Sequence, residues 1–77
     1  MTVQELLGPL LPEVTRPLVA EDSPATIAAW DSVRQVDVIL AVEEAFEIAL
    51  GTAEIGELRS VGGLIALLAR RGITLEV

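Results

Sequence analysis

The 77-residue chain contains neither cysteine nor histidine. It can therefore form no disulfide and none of the Cys- or His-ligated zinc sites that stabilise many small domains. The missing cysteines also fit a reducing compartment. No histidine or lysine is present to activate a serine hydroxyl, and so small a chain offers its carboxylates no pocket that would raise their pKa. We expect no enzymatic activity.

Lysine is absent too, and five arginines stand against twelve acidic residues, which gives a net charge of −7. Nucleic-acid binding needs the opposite sign, because basic side chains must neutralise phosphates. Anionic membrane surfaces are disfavoured for the same reason. A field of this sign attracts basic protein surfaces and accelerates their encounter with the chain.

Long apolar runs are missing as well. The stretch Gly62–Ala69 is far shorter than the roughly 18 residues that span a bilayer. The N-terminus has no basic residue ahead of its apolar ones, so it does not have the pattern of a secretory signal. We therefore expect a soluble, cytoplasmic protein with a single domain over residues 1–77. A chain of this length buries only about 60% of its unfolded surface, so its core is small.

Four segments have helical patterns and none is a convincing strand, which predicts an all-α, four-helix bundle of three longer helices and one short helix. Thr2 and Glu5 form a capping box before the first helix, which Pro9 should kink or divide in two. Ile27 and Trp30 are expected to anchor a long loop over 15–31. The helices are predicted at approximately 3–14, 33–50, 53–58 and 61–71.

Cap residues mark the ends of these helices. Either Asp31 or Ser32 caps the second helix, the longest stretch without Gly or Pro, and Gly51 is the expected stop after Leu50. The other predicted signals are Thr52 and Ser60 as caps of the third and fourth helices, and Gly72 as the end of the fourth.

Residues spaced at 100° divide the second helix into two faces. The core face is predicted to contain Val38, Ile39, Val42, Ala45, Phe46, Ala49 and Leu50. The opposite face carries Asp37, Glu43, Glu44 and Glu47, interleaved with Val33, Val36 and Leu40. An apolar strip framed by acids is typical of a docking surface, because charge steers the approach and apolar contact holds it. Alternatively, the first helix or the long loop covers Val36 and Leu40. Arg34, at the border, would weaken the acidic field.

Ser32 has two interpretations. A serine before a helix is most often only a cap. However, two capping residues stand in tandem, so one hydroxyl can be free, and Trp30 fixes the chain just ahead of them. A phosphate ester on Ser32 would lie at the positive end of the helix dipole, which favours anions.

The runs WDSVRQVDVILAVEEAFEIAL and EIGELRSVGGLIALL closely resemble the acyl and peptidyl carrier proteins. Asp31 and Ser32 match the family's modification site at the start of the second helix. The acidic pair and the aromatic that follow in the family correspond to Glu43, Glu44 and Phe46. The resemblance covers residues 30–69 well and the first helix loosely, and it implies a bundle of the acyl-carrier-protein type.

The resemblance also implies a function. Ser32 would carry a 4′-phosphopantetheine arm, transferred from coenzyme A by a phosphopantetheinyl transferase, with Asp31 orienting the serine. Acyl or aminoacyl groups would be held on the arm as thioesters and delivered by a monomeric carrier. Partner ligases, synthases and acyltransferases with basic docking surfaces would bind Val33, Val36, Asp37, Leu40, Glu43 and Glu44. The missing thiol and imidazole suit a carrier, which must hold its cargo without attacking it.

Some positions depart from the family pattern. Val33 replaces the commoner leucine, Arg34 stands where many members are acidic or neutral, and Ala29-Trp30 replaces a frequent Gly-x. The Trp-Asp-Ser form is more like free-standing carriers of polyketide or nonribosomal peptide pathways.

The alternative function is an unmodified acidic module that only binds a partner. Small residues that could leave room for cargo, unless packing fills it, are Ala45, Ala49, Gly62, Gly63 and Ala66.

Overall fold

The first helix begins at the predicted capping box. The Thr2 hydroxyl accepts a hydrogen bond from the Glu5 amide at 3.1 Å, and the Glu5 carboxylate accepts one from the Thr2 amide at 2.8 Å. In the computed structural model, which describes all 77 residues, α1 covers Val3–Leu7 and a 3₁₀ helix follows over Gly8–Leu10. Pro9 supplies no amide hydrogen, so the chain forms two short pieces and does not stay helical to residue 14.

Three further helices complete the all-α architecture: α2 at Ser32–Phe46, α3 at Thr52–Glu57 and α4 at Val61–Arg70. The prediction of four helices without a strand is confirmed. A single backbone bridge between Thr2 and Glu76 holds the C-terminal tail beside the start of the chain. No helix combines the length and the apolar character needed to cross a membrane.

The end of α2 differs from the prediction. The helix stops at Phe46, four residues before the expected Leu50, because Glu47 adopts a left-handed conformation with φ 53° and ψ 48°. The Glu43 side chain then accepts a hydrogen bond from the Leu50 amide at 2.8 Å, which holds Leu50 as it turns back into the core.

The cap of α3 also differs from the prediction. Gly51, and not Thr52, is its N-cap, and the Glu54 carboxylate accepts a hydrogen bond from the Gly51 amide at 3.0 Å. Ser60 caps α4 as expected, accepting from the Gly63 amide at 2.9 Å. Gly72 follows α4 with φ 79°, a conformation that glycine adopts without strain.

One cluster of sixteen buried apolar residues forms the core, drawn from the helices, the loop and the tail. Val38 and Val42 are the fully buried residues of α2, and Ile39 and Phe46 are half-buried against them. The prediction was wrong for Ala45 and Ala49, which are both exposed. Ala45 lies in the last turn of α2, one residue before the helix ends. Ala49 follows the end of the helix, so helical spacing does not apply to it.

Buried anchors order the long loop between the 3₁₀ helix and α2. Ile27 and Trp30 are buried, as predicted, and Leu18 joins them. The loop also docks on the start of α4. The carbonyls of Ala20 and Asp22 each accept a hydrogen bond at 2.9 Å, from the amides of residues 62 and 61 respectively. These contacts satisfy α4 amides that have no partner within their own helix.

An ion pair between Arg16 and Asp22 connects two parts of this loop. The Asp22 carboxylate is only 3% exposed and accepts hydrogen bonds from both terminal nitrogens of Arg16, at 2.7 and 2.8 Å. It also accepts from the Val19 amide at 2.9 Å and the Thr26 hydroxyl at 3.1 Å. Arg16, followed by the other donors, holds the pKa of Asp22 well below its usual range.

Candidate functional site

Two adjacent side chains at the start of α2 have different roles. Asp31 is the N-cap, and its carboxylate accepts a hydrogen bond from the Arg34 amide at 2.9 Å. Ser32 is the first helical residue; it is exposed, and its hydroxyl makes no hydrogen bond within the protein. The other two serines, Ser23 and Ser60, accept from backbone amides at 3.1 and 2.9 Å. Ser32 is therefore the one serine that is both exposed and free of a hydrogen bond within the protein.

Trp30 fixes the backbone immediately before this pair. It is 1% exposed, and its indole N–H donates to the Gln35 side-chain oxygen at 2.7 Å. The Gln35 amide nitrogen donates in turn to the Leu58 carbonyl at 2.7 Å. This chain of hydrogen bonds connects the residues before α2, the first turn of α2 and the end of α3. Gln35 escaped the sequence analysis because neither partner lies at helical spacing from it.

An open groove of about 680 Å³ runs beside Ser32. Its walls are the loop at residues 23–25, the first turn of α2 and the end of α3. Ser32 and Asp31 line it from the start of α2, and Ile55 and Arg59 line it from α3 and the residues just after α3. The exposed hydroxyl therefore stands next to a recess that could hold a flexible group attached to it.

The outer face of α2 carries an exposed apolar strip, and neither the first helix nor the loop covers it. The side chains of Val33, Val36 and Leu40 are 70%, 53% and 55% exposed. Asp37 and Glu44 are exposed on the same face, at helical spacing from the strip. We call these five residues the α2 outer face. It combines apolar area with negative charge along the first three to four turns of α2, beginning beside Ser32.

Two charged residues near this face are engaged elsewhere. Glu43 is half-buried, and its bond to the Leu50 amide commits part of its carboxylate to the end of α2. Arg34 donates to the Leu10 carbonyl at 2.9 Å and to both carboxylate oxygens of Glu13, at 2.8 and 2.7 Å. This contact with Arg34 lowers the pKa of Glu13 to about 2. Because Glu13 neutralises Arg34, the arginine weakens the acidic field less than the sequence suggested.

The small residues considered as room for cargo do not surround an internal space. Ala45, Ala49 and Ala66 are exposed. A Cβ on Gly62 would lie 3.1 Å from the Ala20 carbonyl oxygen, and one on Gly63 would lie 2.7 Å from the Glu57 carbonyl oxygen. These two glycines allow close backbone packing at the start of α4, so packing fills the space they leave.

No family model matches the chain, and no curated protein sequence matches it. A comparison of folds does find a match. A solved structure of a protein from Mycobacterium tuberculosis, provisionally described as an acyl carrier protein, superposes with a TM-score of 0.74. The match covers 88% of this chain and 90% of the other, at 19% sequence identity. This likeness shows that the two proteins share a fold.

Proposed function

We propose that this chain, which has an acyl-carrier-protein-type fold, carries acyl or aminoacyl groups on a 4′-phosphopantetheine arm attached to Ser32. The observation that supports the proposal most is that Asp31, and not Ser32, caps α2. Because Asp31 caps the helix, the exposed hydroxyl of Ser32 has no structural task. The adjoining groove offers the arm a place to lie, so the residues present fit the group.

Attachment would need an external enzyme, because the chain has no histidine or lysine that could take the proton of the Ser32 hydroxyl. A phosphopantetheinyl transferase would take the hydroxyl proton while the Ser32 oxygen attacks the phosphorus of coenzyme A that bears pantetheine. One Ser–O–P bond forms and the pyrophosphate bond breaks, with adenosine 3′,5′-bisphosphate as the leaving group. The thiol of the arm then supplies the thioester linkage. The chain itself holds and presents the cargo, and we propose no catalytic role for it.

The α2 outer face is the surface we propose for the transferase and for partner ligases, synthases and acyltransferases. Its exposed Val33, Val36 and Leu40 give apolar contact, and Asp37 and Glu44 attract basic partner surfaces. Glu43 would contribute through the part of its carboxylate that Leu50 does not engage. We place this carrier in the cytoplasm as a monomer, free-standing in polyketide or nonribosomal peptide metabolism.

Intact-protein mass spectrometry tests the proposal directly. The purified chain, incubated with coenzyme A and a broad-specificity phosphopantetheinyl transferase, should gain the mass of one arm. Ser32→Ala should gain nothing, whereas the matched variants Ser23→Ala and Ser60→Ala should still be modified. If Ser32→Ala gains as much mass as the wild type, Ser32 is not the attachment site. If the wild type gains no mass, the carrier function is wrong. An unmodified module that binds partners through the α2 outer face would then be the better interpretation.

A further inference from the structure

Arg59 differs from every other arginine in the chain. Arg16, Arg34, Arg70 and Arg71 each form a salt bridge with a carboxylate. Arg59 forms none, although acidic residues outnumber arginines by twelve to five. Its Nε donates to the Gly56 carbonyl at 2.8 Å, and its two terminal nitrogens have no partner within the protein. A free guanidinium in so acidic a chain is available for an anion.

The position of Arg59 indicates which anion it would bind. Arg59 lines the groove that Ser32 also lines, and it does so from the segment that follows α3. The bond to the Gly56 carbonyl holds the guanidinium against the end of α3, and the Arg59 amide is itself bonded to the Glu57 carbonyl at 2.9 Å. Asp31 is the acidic residue that lines this groove, so an anion placed on Ser32 would meet a like charge beside it. Arg59 is the cation in the groove that can offset that repulsion.

We propose that Arg59 binds the phosphodiester that joins the arm to Ser32 and so holds the first part of the arm along the groove. This inference rests on the proposed carrier function. A guanidinium matches two phosphate oxygens with two parallel N–H donors. The anion is tethered to Ser32, so its effective concentration at Arg59 is high. The half-buried Ile55, which also lines the groove, gives the branched apolar segment that follows the phosphate a surface to contact.

Nuclear magnetic resonance of the loaded protein tests this contact without any measure of activity. The arm is introduced from coenzyme A with ¹⁵N in its amides. The chemical shift of the arm's first amide is then measured; it is the average of the shifts of the groove-bound and the free arm, weighted by their populations. In Arg59→Ala the ratio of bound to free arm should fall by about two- to fivefold, the factor that an exposed ion pair supplies. Raising the salt from about 0.1 M to about 1 M, which shortens the Debye length from about 10 Å to about 3 Å, should have a similar effect on the wild type.

Arg70→Ala is the matched control, because it removes the same charge from an exposed arginine that pairs with Glu57 and does not line the groove. In Arg70→Ala the chemical shift of the arm amide should be the same as in the wild type. Two results would overturn the inference while leaving the carrier function intact. The chemical shift of the arm amide could be the same in Arg59→Ala as in the wild type, or it could change equally in Arg59→Ala and Arg70→Ala. A wild-type chain that never takes up the arm would overturn both.

Discussion

At the scale of single residues, Asp31 and Ser32 stand side by side at a helix start and do different things. The carboxylate closes the first turn of α2, and the hydroxyl faces outward with no partner. Both are favoured cap residues, so the sequence left open which of them caps. Backbone geometry decides it: Asp31 is extended, with φ −94° and ψ −173°, whereas Ser32 is already helical. The residue that carries the proposed modification therefore does not hold the helix together.

This division predicts unequal effects on stability. Asp31→Ala should lower the free energy of unfolding by about 1 kcal/mol, because the first turn of α2 loses its cap. Ser32→Ala should change it by less than about 0.5 kcal/mol, because the side chain makes no contact that stabilises the fold. Urea unfolding followed by circular dichroism measures both. A larger loss from Ser32→Ala than from Asp31→Ala would mean that the cap has been assigned to the wrong residue.

At the scale of elements, α2 has two faces that should respond oppositely to mutation. Leu40→Arg on the outer face should leave the melting temperature within a few degrees, since the side chain is 55% exposed. It should lower kcat/KM for the transferase by about five- to thirtyfold if Leu40 is a central contact, because burying an arginine there opposes basic partners.

The control for this variant is Val19→Arg, which makes the same change at a 43% exposed apolar residue of the loop. It should affect neither stability nor modification. If Leu40→Arg unfolds the protein, Leu40 belongs to the core; if modification proceeds at the wild-type rate, partners dock elsewhere.

The loop before α2 depends on one ion pair, in which Asp22 is buried and Arg16 is exposed. Asp22→Asn should lower the free energy of unfolding by about 2 kcal/mol, since Arg16 loses its charged partner and the amide cannot accept all the present bonds. For a domain of this size that corresponds to a melting temperature lower by roughly 10 °C. Glu21→Gln alters an exposed neighbouring carboxylate and should have little effect. Equal melting temperatures for the two variants would show that the pair contributes nothing to the loop.

At the scale of the whole molecule, the lowered pKa values of three carboxylates that pair with arginines predict sensitivity to acid. Arg34 lowers the pKa of Glu13 to about 2, and Arg71 lowers that of Glu54 to about 2. Arg16 holds the pKa of Asp22 lower still. Each folded-state pKa lies below its unfolded value of about 4, so the folded state binds fewer protons. The stabilisation is present above about pH 5 and is lost as the pH falls towards 2.

Thermal unfolding between pH 6 and pH 2.5 should therefore show a melting temperature that falls with acidity, most steeply below about pH 4. Asp22→Asn should start lower at pH 6 and fall less, because one of the three carboxylates is gone. A melting temperature that stays constant or rises on acidification would contradict the assigned ion pairs.

Local patterns were sufficient where a feature depends on neighbours in the chain. The capping box at Thr2, the division at Pro9 and the cap at Ser60 were predicted because each involves residues three or four positions apart. Helical spacing also assigns Leu40 to the side of α2 away from the core, but it leaves open whether another segment covers that side, and the structure shows Leu40 exposed. The end of α2 was misplaced because the chain turns at Glu47 and the Glu43 carboxylate accepts from the amide of Leu50, which is buried in the core.

What the sequence determined by itself is the all-α class, the helix starts and a serine beside an acidic, apolar helix face, since propensity and periodicity act over a few residues. Tertiary structure alone decided which charges are free. Arg34 is neutralised by Glu13 across 21 positions, Asp22 is buried against Arg16, and Arg59 is left unpaired beside Ser32. These pairings depend on which surfaces the core brings together, and hydrophobic burial fixes that without regard to the order of charges along the chain.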